Sequence, residues 1–110
     1  MLNQVVLVGR LTKDPVLHKT EKNKNLSYIT LAIPRSFKNS NGEYETDFID
    51  CQLWEAVAKS TVEYCRKSDV VGVKGRLSSR IIETEAGNRS IIEVVAEKVT
   101  FLSSKKEEKE

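Results

Sequence analysis

The fold is decided by residues 47–67, DFIDCQLWEAVAKSTVEYCRK, where an alternating pattern gives way to a helical one. Apolar and polar residues alternate over residues 47–54, which predicts a strand because successive strand side chains point to opposite faces. From Glu55 the apolar residues recur at steps of three and four, which predicts a helix. This helix begins at Glu55 or, because Ser60 and Glu63 have the spacing of a capping box, after Ser60.

Strand patterns flank this segment on both sides. β-Branched residues dominate the N-terminal run, and a second, alternating run stops at Pro34. An Asn-Gly turn within residues 39–42 joins the second and third runs as an antiparallel hairpin, and a further turn is predicted at residues 86–88. The predicted strands are residues 2–10, 26–33, 47–54, 69–77 and 90–102, the last built from 90–96 and 98–102.

The order of these elements predicts an all-β protein with five principal strands and one helix between strands 3 and 4. This is the layout of the OB-fold, a five-stranded Greek-key barrel. The face formed by its strands 2 and 3, with the flanking loops, commonly binds oligonucleotides. A generic α+β sandwich is the structural alternative.

The composition indicates one globular domain. The chain has 110 residues, with 18 Lys or Arg against 16 Asp or Glu, so its net charge of +2 neither requires nor excludes a polyanionic partner. We assign residues 1–102 to the domain and expect residues 103–110, a polar tract whose charges cancel, to be disordered. We find no targeting or membrane-spanning run, and Cys51 and Cys65 lie in apolar patterns, as reduced core thiols of a cytoplasmic protein do.

No pattern supports catalysis. His18 is the only histidine, and the sequence has no Gly-rich nucleotide motif, metal-ligand spacing or convergent carboxylate pair. We therefore expect a binding protein that is not an enzyme and needs neither a cofactor nor a metal.

Strand parity separates a core face from a polar face in residues 47–54. Ile49, Cys51 and Leu53 form a uniformly apolar face, whereas Phe48 and Trp54 share the other face with polar residues. At a rise of about 3.3 Å per residue these two rings lie roughly 20 Å apart, which leaves room for several nucleotides. The pattern suits a platform on which bases stack, and the alternative is that the two rings cap the barrel or contact a subunit.

Phe37 lies among cations just after the predicted end of the second strand. It follows Arg35 by two positions and precedes Lys38, and an aromatic residue flanked by cations is unusual in a core. Because Arg neutralises phosphate and stacks on base planes, this stretch resembles a nucleic-acid grip. A solvated hairpin base is the alternative.

Outward-facing residues are also predicted on the second and fourth strands. Tyr28 has the opposite parity to the core positions of its strand, and we give it a supporting role. On the fourth strand Arg76 and Arg80 share one face and could line a phosphate track, although a basic strand face is usually only solvated. The residues expected to hold phosphates are Arg10, Arg35, Arg76 and Arg80.

Several segments carry a family resemblance. They are residues 2–11 with Asp14-Pro15, 47–54, 64–67, 73–77 and 93–96. In this order, and nearly to Leu102, they resemble the bacterial single-stranded DNA-binding protein family. The resemblance implies an OB-fold, usually a homotetramer, that coats single-stranded DNA during replication, recombination and repair. The choice of DNA over RNA rests on the resemblance alone, since stacking ignores the 2′-hydroxyl.

The resemblance also assigns site residues. The family's stacking aromatics fall on Phe37, Phe48 and Trp54, and its fourth aromatic position falls on Ile82, an aliphatic residue that can contact a base but cannot stack as strongly. The family's flexible linker and acidic C-terminal tip, which recruits partner proteins, have no counterpart after Leu102. Recruitment through such a tip is therefore doubtful, and the chain is either naturally short or trimmed.

The first strand is apolar on both faces. Val6 and Val8 share one face, Val5 and Leu7 share the other, and only one face points into a barrel. A second subunit is the simplest cover for the outer face, with the chain's own loops as the alternative. We therefore expect a homo-oligomer, and the family resemblance implies a tetramer.

These observations predict a passive single-stranded DNA binder that holds bases by stacking and phosphates by Arg and Lys. The rival from another class is an OB-fold protein-interaction subunit that uses the same aromatics as a hot spot. A nearer rival is a primosomal-type relative.

Overall fold

The computed structural model describes residues 1–103, and residues 104–110, on which most of the predicted polar tail falls, lie outside them. Six strands and one helix follow one another along the described chain. Because the second strand has only two residues, five long strands remain, and the helix lies between the third and fourth of these, as predicted. The elements are β1 (Val5–Leu11), β2 (His18–Lys19), β3 (Asn25–Lys38), β4 (Tyr44–Trp54), α1 (Glu55–Tyr64), β5 (Val70–Thr84) and β6 (Gly87–Ser103).

Strand pairing closes the sheet into a barrel. The strand order is β1-β5-β6-β4-β3-β2, and a further antiparallel pairing of β1 with β3, at Arg10–Ala32 and Leu11–Leu31, joins the sheet to itself. β4 and β6 run parallel over a short stretch, where Cys51 pairs with Val94. The predicted OB-fold barrel is confirmed, and the α+β sandwich is wrong.

Four strands are longer than the sequence pattern indicated, and one of them, β4, begins at Tyr44 rather than at Asp47. β3 does not stop at Pro34 but continues to Lys38, and a register shift between these two residues accommodates the proline. β5 continues past Leu77 to Thr84, and β6 begins at Gly87. Because the extensions of β3–β4 and β5–β6 pair only within their own hairpins, they bury no face against the core and need no alternating apolar pattern.

The helix begins at Glu55, which decides between the two starts that the sequence left open. The Glu55 carboxylate accepts the backbone N–H of Asn25 at 2.7 Å and so ties the start of α1 to β3. Ser60 lies inside the helix. No helix among residues 1–103 is long and apolar enough to cross a membrane.

The barrel interior is filled by the residues that alternation assigned to it. Cys51 and Leu53 of β4 and Leu31 of β3 are fully buried, and Ile49 packs against this core. Both cysteines are free and buried, as predicted. Burial raises the pKa of the Cys51 thiol to about 12 and that of the Cys65 thiol to about 11, so both thiols stay protonated near neutral pH.

Two glycines lie where backbones approach too closely for a side chain. A Cβ atom on Gly9 of β1 would lie 2.8 Å from the carbonyl oxygen of Ala32 and 2.8 Å from Cγ1 of Ile33. A Cβ atom on Gly75 of β5 would overlap the backbone carbonyl of Val95 on β6. Gly9 therefore permits the approach of β1 to β3 that closes the barrel.

We expect Gly9→Ala to lower the free energy of unfolding by about 1 to 3 kcal/mol, because the Ala32 carbonyl cannot retreat without disturbing the closing pairing. Gly75→Ala should cost more, since the overlap there is deeper and also involves backbone. Urea unfolding followed by circular dichroism measures both variants. A Gly9→Ala protein as stable as the parent would contradict the close packing of β1 on β3.

Candidate nucleic-acid interface

An open groove of about 830 Å³ lies between the outer face of β3–β4 and the β5–β6 hairpin. Its aromatic side chains are Tyr28 of β3 and Phe48 of β4, and Gln52 lies near them. Arg80 of β5 lines the opposite side. We call this space the groove.

Phe48 is the most exposed aromatic residue of the groove. Its side chain is 65% exposed, although Cys51 and Leu53 on the same strand are fully buried, as alternation predicted. Phe48 pairs with Ala32, whose small side chain leaves the ring uncovered. Tyr28, on the same face, is 46% exposed. The two rings offer apolar surface to a flat ligand from the solvent side.

Trp54 occupies a separate cavity on the same face of β4. It is half-buried at the junction of β4 and α1, and its Nε1–H donates to Oε1 of Gln52 at 3.1 Å. The loop that follows β2 contributes Lys22 and Lys24 beside the ring, in a cavity of about 490 Å³. Parity therefore placed Phe48 and Trp54 on one face, but the structure divides that face into two sites.

Two predicted base-contacting residues lie on the hairpin extensions, outside the lining of the groove. Phe37 lies within the register shift between Pro34 and Lys38 of β3, and it is 70% exposed. Ile82 lies on β5, paired with Arg89 and half-buried. Neither residue lines the groove, so their roles stay predictions.

Sequence reasoning missed Tyr44. It lies at the start of β4, 61% exposed, with the parity of Phe48 and Trp54, and the Lys38 ammonium lies 5.7 Å from its ring centroid. The predicted strand began at Asp47, three residues too late to include it. Extending the alternation backwards would have found Tyr44.

Arg35 is occupied by carboxylates of the facing strand. Its guanidinium pairs with Glu45 at 2.7 Å and with Asp47 at 2.9 Å. The hydrogen bond to Asp47 raises the pKa of Arg35 and lowers the pKa of Asp47. Since both acids have the parity of the core positions of β4, this cluster lies on the face opposite Phe48. The structure thus does not bring Arg35 into the groove.

Arg80 enters the groove, but it is also paired. Its Nε–H donates to Oε1 of Glu93 on β6, and this hydrogen bond raises the pKa of Arg80. Oε2 of the same carboxylate accepts a hydrogen bond from the Gln52 amide. To make the predicted phosphate contact, Arg80 must therefore share or break its ion pair with Glu93.

The other predicted cations differ in their surroundings. The Arg10 guanidinium donates to the carbonyl oxygen of Ser68 at 2.8 Å. Arg76 is exposed on β5 and has no carboxylate partner within residues 1–103, but it does not line the groove. Lys13, which the sequence reasoning did not select, is an exposed cation of the groove and forms no ion pair with any described residue.

The outer face of β1 is apolar and uncovered. Val6 is 69% exposed and Val8 is 52% exposed, whereas Leu7 between them packs against the core. No segment within residues 1–103 covers this face, so cover by the described loops of the chain itself is wrong. The surface remains available to a second subunit.

A closed five-stranded barrel, with one helix after its third long strand and exposed aromatics on its β3–β4 face, defines an OB-fold domain of the oligonucleotide-binding kind. The single-strand binding protein family matches residues 2–102, and the chain belongs to this family.

Three relatives illustrate the match. The chain is 48% identical over 110 residues to single-stranded DNA-binding protein B of Bacillus subtilis strain 168, covering 99% of this chain and 97% of that protein. It is 46% identical over 106 residues to single-stranded DNA-binding protein 3 of Listeria innocua, covering 96% and 66% of the two chains. Single-stranded DNA-binding protein A of B. subtilis is 46% identical over 106 residues, covering 96% and 62%. The chain thus spans less than two thirds of the length of the last two relatives.

Proposed function

We propose that this chain binds single-stranded DNA without sequence preference and has no catalytic activity. The single observation that carries the proposal is the ring of Phe48, which lies 65% exposed over a groove in a member of the single-strand binding protein family. Every base has a π-face, so stacking on this ring would tolerate any sequence. The domain that binds is residues 1–102.

The bound DNA strand follows the outer face of β4. One base stacks on Phe48 beside Tyr28, and another stacks on Trp54, where Lys22 and Lys24 can reach the adjoining phosphates. Lys13 supplies a further phosphate contact beside Phe48. Phe37, Tyr44 and Ile82 extend the surface along the two hairpins, and Arg10 and Arg76 contribute cationic contacts around it. Arg35, paired with Glu45 and Asp47 on the opposite face, is not part of this path.

This activity serves DNA replication, recombination and repair, which expose single strands on the chromosome in the cytoplasm. Relatives named as single-stranded DNA-binding proteins support the binding of single strands, the DNA that these processes expose. The protein coats and protects a strand; it does not alter it.

The working form is a homo-oligomer, and we assign it as a tetramer. The apolar outer face of β1, with Val6 and Val8, is the contact surface. Strand surface of this kind is costly in water and tends to pair with a copy of itself.

We expect oligo-dT to quench the fluorescence of Trp54, the only tryptophan, and the affinity to fall steeply as salt rises because phosphate contacts release counterions. A titration at low and high salt measures both effects. The same titration with the matched RNA oligomer compares the affinities for DNA and RNA. If neither quenching nor binding occurs at low salt, the proposed function is wrong.

Phe48→Ala should weaken binding of oligo-dT by about 1 to 3 kcal/mol while leaving the melting temperature nearly unchanged, since the ring stacks on a base but packs little against the core. Phe101→Ala is the matched control, because Phe101 is 45% exposed and packs on Tyr64 away from the groove. Equal affinities of the two variants for oligo-dT would show that Phe48 is not part of the binding site.

Val6→Asp should dissociate the oligomer, because a carboxylate buried without a partner in a subunit contact is strongly unfavourable. The comparison is Val16→Asp, which places the same charge at a position that is 56% exposed and outside β1. Light scattering coupled to gel filtration reads the mass of each variant. A parent protein that is monomeric at micromolar concentration would contradict the assembly.

A further inference from the structure

The charges that line the groove cancel. Lys13 and Arg80 provide two positive charges, and Asp50 and Glu93 provide two negative ones. A groove that binds a polyanion gains little from such a balance, because each carboxylate repels the phosphates that the basic side chains attract. The amount of positive charge that is free to bind phosphate therefore depends on which of these four groups are paired with one another.

The two acids differ in what they hold. Asp50 accepts a hydrogen bond from the hydroxyl of Thr30 at 2.6 Å, within the β3–β4 pairing, and forms no ion pair with any residue of 1–103. Glu93 instead pairs with Arg80 through one oxygen and accepts the Gln52 amide through the other. Glu93 is thus the acid that already pairs with the Arg80 guanidinium, the group to which a phosphate would bind.

Exposure within the pair is unequal. The Arg80 side chain is 59% exposed, whereas the Glu93 side chain is only 16% exposed. Solvent and ligands can therefore reach the guanidinium, while the carboxylate stays withdrawn beneath it. A phosphate can approach Arg80 from the open side of the groove, but it must share or displace the existing partner.

A polar chain holds the carboxylate in place. The Trp54 indole donates to the Gln52 side-chain oxygen at 3.1 Å, which orients the Gln52 amide nitrogen towards Glu93. This chain links the cavity of Trp54 to the groove of Phe48 across β4, β6 and β5. Glu93 is accordingly a fixed partner of Arg80 rather than a mobile surface acid.

From these contacts we infer that Glu93 is a built-in competitor of DNA phosphate: it holds Arg80 in an ion pair that a phosphate must displace, and so limits the affinity of the groove. The inference rests on the proposed function. Glu93 is a positioning residue, since it acts on DNA through Arg80.

Glu93→Gln tests this inference, because it keeps the shape and the acceptor oxygen for Gln52 but removes the charge that holds Arg80. We expect about 3- to 5-fold tighter binding of oligo-dT at low salt, as expected for releasing one solvent-accessible ion pair. The slope of log K against log salt should steepen by about 0.7, the value of one added phosphate contact on a single strand. Thermal melting checks that the variant folds.

Glu97→Gln is the matched control. It removes the same charge from the same strand, at an exposed position outside the groove, and should change the affinity less than about twofold because a solvent-exposed charge outside the groove acts on the bound DNA only weakly through water. An equal gain in both variants would reduce the effect to net charge and overturn the inference.

The double variant Arg80→Gln/Glu93→Gln shows whether Arg80 carries the gain. If Glu93 acts by holding Arg80, the double variant returns to the parent affinity or below it. A double variant that keeps the gain would assign the effect to direct repulsion of DNA and would overturn the inference. If the parent itself does not bind, the proposed function fails; if the parent binds and Glu93→Gln binds no tighter, only this inference fails.

Discussion

The contact of β1 with β3 is the constraint on which the other features depend. Gly9 allows the two backbones to approach until Arg10 pairs with Ala32, and this pairing turns an open sheet into a barrel. A closed barrel has an inside, filled by residues such as Leu31 and Leu53, and an outside that the same strands must present to solvent. The groove exists because closure fixes which face of β3–β4 is outside.

Alternation along β4 supplies both the core and the aromatic surface. The strand has no bulge of its own, so one parity rule holds from Tyr44 to Trp54, and the exposed rings lie on the side opposite Cys51. The charged residues that line the groove balance, so the groove itself offers mainly aromatic surface, and further positive charge lies beside Trp54, at Lys22 and Lys24. This balance agrees with a net charge of only +2 for the whole chain.

Local pattern was sufficient for the barrel, the single helix, the buried cysteines and the outward rings of Phe48 and Trp54. It failed where partners lie on different strands and meet only through the strand register. Glu45 and Asp47 reach Arg35 only through the register of β3 on β4, and Glu93 reaches Arg80 only through β6, whose register on β5 shifts twice before that point. A slip of one residue would turn each acid to the other face, and no single-strand pattern specifies that register.

The hydrogen bond that Trp54 donates to Gln52 limits how this side chain can interact with a nucleotide. The indole has a single hydrogen-bond donor, and the Gln52 side chain already accepts it at 3.1 Å. What remains for an incoming nucleotide is the flat face of the ring, which cannot distinguish one base edge from another. If this ring stacks on a base as proposed, Gln52, two residues away, leaves it no hydrogen-bond donor with which to select one base over another.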